Sequence, residues 1–106
     1  MSNRLTKNPI YFDQFNADAT LAVKGSPLRI RKITQLSATD GDTFVLKDAD
    51  GNVITHMTNS NGAGDTYDTY FAEDGQTFSD GVVIDVSACT GMAATDGTDA
   101  VWIYLK

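Results

Sequence analysis

The chain has 106 residues, 42% hydrophobic and 21% charged, with a formal net charge of −6 and a pI near 4.4. That is enough chain for one core, it is too apolar for a disordered tail, and it lacks the roughly 20-residue apolar run of a membrane-spanning helix. One cysteine and one histidine allow neither an intrachain disulfide framework nor a His/Cys zinc site, and the start MSNRLTKNP has no apolar stretch of a secretory signal.

Asp and Thr each occur 13 times and Glu once, while eight of nine glycines follow residue 40. Thr suits strands and Asp suits turns and caps, so short strands bounded by Gly/Asp clusters are expected. Residues 1–17 hold Pro9 and the aromatics Tyr11, Phe12 and Phe15. They are expected to form a first strand or an extended arm ahead of a β-domain over 18–106.

Asp18 to Lys24 is the next expected strand, closed by a Gly25-Ser26-Pro27 turn. Leu28 to Leu36 follows. Leu28 and Ile30 share a face that Ile33 would leave, so a bulge near Arg31-Lys32 is needed to return Ile33 to the core. Thr43–Lys47 and Asn52–Met57 form a hairpin across Asp48-Ala49-Asp50-Gly51, where Gly51 supplies the positive φ of a tight turn. Thr66 to Ala72, Gly81 to Ser87 and Ala100 to Leu105 complete the set. The segments Asn59 to Asp65 and Thr90 to Thr98 are expected loops. Ile30, Phe44, Leu46, Ile84 and Ile103 fall on the apolar faces of their runs and are the expected core. The pattern is all-β: a single-domain antiparallel β-sandwich or small barrel of about seven strands.

Catalytic signatures are lacking. The Asp48 to Asn52 stretch opens like a calcium loop, but Val53 and Asn59 stand where the EF-hand needs Gly and Glu. Asp40, Asp42, Asp96 and Asp99 are the remaining candidates for gathering a hard cation between loops. His56 has no nucleophile marked beside it. Cys89 has no neighbouring cation in sequence and is expected to be a buried thiol. Gly62-Ala63-Gly64 precedes a strand and not a helix, which excludes a dinucleotide fold. No enzyme is therefore expected, and no cofactor or metal is assigned. Trp102 and Tyr104 share a face of the last strand, with Tyr11, Tyr67 and Tyr70 elsewhere. Such a strip can stack on sugars or bind protein, while core or subunit contact is the favoured assignment for Trp102.

Charge is unevenly divided. Residues 1–36 hold six Lys/Arg against two Asp, a net +4, and residues 37–106 hold two Lys against twelve acids, a net −10. Either the two parts neutralise each other within one fold, or the basic segment meets an acidic surface on a neighbouring subunit. Free nucleic acid and membrane are not expected partners of so acidic a chain.

The stretch Ile30 to Ile54, IRKITQLSATDGDTFVLKDADGNVI, resembles the small β-proteins of tailed-bacteriophage particles. These run strand, Gly-Asp turn, strand, D-x-D-G-N hairpin, strand. The resemblance implies a virion structural protein made in the host cytoplasm: capsid decoration or cement foremost, with a head-to-tail connector or a tail or fibre module as the alternative. It implies a major capsid protein or other virion protein as partner, a homo-oligomer on the particle, and no catalytic residues. A carbohydrate- or receptor-binding β-sandwich is the competing expectation. For the docking arm, Tyr11, Phe12 and Phe15 would be the anchors and Arg4 and Lys7 the charged contacts. Arg29, Arg31 and Lys32 would extend the basic surface.

Overall fold

A computed structural model describes residues 3–106, so Met1 and Ser2 of the expected arm lie outside the described residues. The strands are β1 (Ile10–Phe12), β2 (Ala19–Leu36), β3 (Thr43–Lys47), β4 (Val53–Thr58), β5 (Thr66–Tyr70), β6 (Gln76–Ile84) and β7 (Ala100–Leu105). One turn of 3₁₀ helix, Val86–Ala88, follows β6. All pairings are antiparallel, in one sheet of order β1-β7-β2-β6-β3-β4 with β5 also on β2.

β2 organises the sheet. Its second half pairs with β7 and β5 on its two sides, and its first half pairs with β6. The sheet thereby folds over into a sandwich-like body around one core. Ile30, Phe44, Leu46, Ile84 and Ile103 are each 0% exposed, as their alternation predicts. The β2–β7 register slips between Ile30 and Lys32, so the expected bulge is present and both Ile30 and Ile33 are fully buried.

Gly25-Ser26-Pro27 does not end a strand. β2 runs through it, and its pairing with β6 passes from Lys24↔Asp80 to Leu28↔Phe78 with two extra residues on β2. Pro27 lacks an N–H for the ladder, which a locally unpaired stretch tolerates. β6 begins at Gln76, earlier than its apolar part, and stops at Ile84. There the Asp85 carboxylate accepts from the Ser87 N–H and hydroxyl and starts the 3₁₀ turn that takes Val86 out of the strand.

The β3–β4 hairpin forms as expected, with Gly51 at φ 89°. Asp48 fixes its turn by accepting from the Asp50 and Asn52 N–H groups, both at 2.9 Å. These bonds hold its carboxyl below the usual range, that from Asn52 most.

The expected docking aromatics need correction. β1 pairs with β7, and Tyr11, Phe12 and Phe15 are 5%, 0% and 5% exposed. Phe12 and Phe15 meet edge to face at 4.9 Å inside the protein's own core. Pairing with Val101 turns Phe12 inward, so neither phenylalanine is free to anchor on a neighbour.

Candidate interaction face

Because opposed residues in an antiparallel ladder share a face, the registers place two rows on the outer side of β1, β7, β2 and β5. Tyr11, Trp102, Thr34 and Asp68 form one row, and Tyr104, Lys32 and Tyr70 form the other. Trp102 is thus outside the core, half-buried against Tyr11 with ring centroids 5.3 Å apart, which corrects the core alternative of its expected placement.

The β2 bulge also shapes this face. Alternation would send Arg31 and Lys32 to opposite sides, but the extra residue lets both reach Tyr104. The Arg31 guanidinium lies 5.8 Å from its ring centroid and the Lys32 ammonium 4.5 Å. Lys32 also lies 5.8 Å from the exposed Tyr70 ring. At the β1 end, the Arg4 guanidinium sits 4.8 Å over Tyr11. Cations so placed are held by the ring quadrupoles while their N–H groups stay free for an anion.

The turn before β1 is fixed by backbone. Arg4 N–H donates to Tyr11 O at 2.8 Å, and Tyr11 N–H donates back to Arg4 O at 3.0 Å. Asn8 acts as an extra strand residue for β7: its amide donates to Leu105 O at 3.2 Å, and its Oδ1 accepts from Leu105 N–H at 2.9 Å. Between this turn and Trp102 lies a shallow cleft of about 360 Å³, lined by Arg4, Lys7, Asn8, Pro9, Tyr11 and Trp102. The Tyr11 hydroxyl donates to the buried Asp13 at 3.0 Å. Burial and then this bond raise the phenol's pKa, against the pull of Arg4, so the group stays a neutral donor.

The ion pairs among the described residues are Lys24–Asp50 and Lys47–Asp85, both at 2.9 Å. Arg4, Lys7, Arg31 and Lys32 therefore have no carboxylate partner there. Asp68, the acid on this face, accepts instead from Thr34 at 2.7 Å and from Tyr70 at 3.4 Å. Of the expected partner residues, the structure groups Arg4, Lys7 and Tyr11 in the cleft and Arg31 and Lys32 on the same face. It does not bring Phe12, Phe15 or Arg29 there. The Arg29 Nε–H is engaged by the Asp74 carbonyl of the β5–β6 loop. Trp102, Tyr104 and Tyr70 join the face; they stood in the sequence as an aromatic strip but not among the expected partner residues. The polar-side positions of β7 were the available signal.

The other candidate groups serve the fold. Asp99 is buried and ties loops together, accepting from Ala38, Ala93 and Ala94 N–H groups at 2.9, 3.2 and 3.2 Å. Among the described residues no three His, Cys, Asp or Glu side chains are grouped to hold a metal. Cys89 is 3% exposed, and its sulfur accepts from the Val45 N–H at 3.3 Å. Burial pushes its thiol up to about 11, away from a reactive thiolate. His56 is an exposed residue of β4.

Comparison with known protein families, curated proteins and solved structures yields no match, so function is argued from this face.

Proposed function

We propose that the protein is a non-enzymatic structural component of a tailed-bacteriophage particle, decorating or cementing the capsid lattice through its basic aromatic face. One observation carries the binding part: four cations that make no ion pair among the described residues line one face of a chain whose net charge is −6. A surface that concentrates positive charge against the sign of the whole molecule favours an acidic protein partner. The phage assignment is supported by the resemblance of the Ile30 to Ile54 stretch. Sugar stacking is less favoured, because it needs open ring faces, and cations already stand over Tyr11 and Tyr104.

The test is the particle itself. Purified particles are expected to carry the protein at the copy number of a lattice component. The variant Arg31→Glu with Lys32→Glu is expected to fall off particles by about tenfold or more, because like charges facing each other cost several kcal/mol. Its melting temperature should stay near wild type, since both side chains lie on the outer face. Particles lacking the protein, or binding unchanged by the charge reversal, would reject the proposal.

A further inference from the structure

The molecule carries a second cleft whose chemistry is the complement of the first. Asp48 and Asp50 stand on the β3–β4 turn, and Asp80 lies on β6. The turn is pinned to β6: Ala49 N–H donates to Asp80 O at 2.9 Å. Gly81 lets the turn come that close, because a Cβ there would stand 2.7 Å from the Ala49 methyl carbon. The cation beside them, Lys24, bonds Asp50 at 2.9 Å and faces Asp80 across the β2–β6 ladder. Beside them is a cleft of about 240 Å³ with Ile54 and Phe78 in its wall. It offers carboxylates on an apolar wall, as the Arg4–Lys7 cleft offers cations on an aromatic one.

The two clefts share no strand. The basic one belongs to β1 and β7 at one end of the strand order, and the acidic one to β6 and the β3–β4 hairpin toward the other. Among the described residues no ion pair joins them. No close ion pair within one chain satisfies them, and each is what the other would need across a contact.

We propose that copies of the protein associate head to tail, the Arg4–Lys7–Trp102 cleft of one copy docking on the Asp48–Asp80 cleft of the next. This rests on reading the basic face as a docking surface for acid, and it leaves Arg31 and Lys32 to the particle. The contact joins two different patches, so its repetition builds a ring or an open row, not an isolated pair. Lattice spacing on a particle would then set how many copies follow one another.

Sedimentation velocity over a concentration series tests the contact. At about 10 mM salt the screening length is about 30 Å, and at about 1 M it is about 3 Å. The wild type is expected to associate in the first condition and to be monomeric in the second. Arg4→Glu with Lys7→Glu, and separately Asp50→Lys with Asp80→Lys, should each be monomeric in both. An equimolar mixture of the two variants should associate again, because every facing pair of ends is then of opposite charge. The single variants Lys7→Glu and Asp80→Lys, mixed likewise, repeat the test with less perturbation of the fold.

A wild type monomeric at low salt, association that survives high salt, or a mixture that stays monomeric would each overturn the inference. Particle binding of Arg31→Glu with Lys32→Glu separates the two proposals. Normal particle binding by a wild type that never self-associates rejects the head-to-tail contact alone. Self-association by a chain absent from particles rejects the virion role alone.

Discussion

Asp42 is the residue least at ease in its surroundings. It is 6% exposed, its Oδ2 finds no hydrogen-bond partner among the described residues, and a Cβ on Gly91 would collide with its carboxylate. Burial first, and the negative charge of Asp99 second, raise its pKa, against a bond from the Thr39 backbone. A raised carboxyl pKa means the folded state prefers the neutral acid. The stability this gives is full below the unfolded value of about 4 and is lost as pH rises through the raised folded value. Asp42→Asn keeps the shape and stays neutral, so it should melt higher than wild type at pH 7. The difference should close as pH falls toward about 4. Thermal melts of both proteins across that window check this, and parallel pH profiles would show that Asp42 is solvated in solution. Asp48, Asp85 and Asp96 act oppositely: their hydrogen bonds lower their pKa values, so what they contribute is lost only in acid.

Among the elements, β2 does most to determine both core and face, through a single extra residue. With Arg31 in the bulge, Ile30 and Ile33 both turn inward while Arg31 and Lys32 flank Tyr104. Deleting Arg31 removes the bulge and puts Ile30 one position out of phase with Ile33 in the β2–β7 ladder, and a one-residue slip exchanges the two faces. The deletion should cost at least about 2–5 kcal/mol, the range for losing one large buried aliphatic side chain. Arg31→Ala should change stability by no more than about 0.5 kcal/mol, as surface substitutions usually do. Comparing the melting temperatures of the two variants isolates the bulge from the side chain; equal values would mean that the slip is absorbed elsewhere. This bulge was legible in the sequence because Leu28 and Ile30 fall on one parity and Ile33 on the other within a single run. The Asp48-Ala49-Asp50-Gly51 turn and the two faces of β7 were legible for the same reason: each signal lies within a few residues. The continuity of β2 through Gly25-Ser26-Pro27 was not, because it depends on pairing with β6 some 50 residues away in sequence. The early part of β6, Gln76 to Asp80, carries little apolar pattern and is held by the ladder. In the site, the cations could be named from sequence. Which of them share a face could not, since the registers of β1 and β5 on their neighbours decide it.

At the scale of the whole molecule, the question is what the first residues hold together. The three residues of β1 are too short a run to show a period, so a strand and a docking arm looked alike in sequence. The structure ties this segment to the body at several points. Arg4 and Tyr11 exchange two backbone bonds, Asn8 exchanges two with Leu105, and Asn3 accepts from the Asp13 N–H at 3.0 Å. Intramolecular hydrogen bonds contribute about 0.5–1.5 kcal/mol each. Removing residues 1–9 deletes these five while leaving Phe12 and Phe15 to fill the core. The truncated chain should therefore still fold, but melt at least about 5 °C lower, since about 1 kcal/mol shifts a domain of this size by 4–8 °C. Self-association should fall too, because Arg4 and Lys7 leave with the segment. Arg4→Ala with Lys7→Ala separates the two effects: the backbone bonds remain, so melting should be near wild type while self-association at low salt weakens. If the truncated chain melted as wild type does and only self-association fell, the segment would be an arm resting on the surface. If the double alanine variant melted as low as the truncation, Arg4 would matter for its packing on Tyr11 and not for the charge it presents.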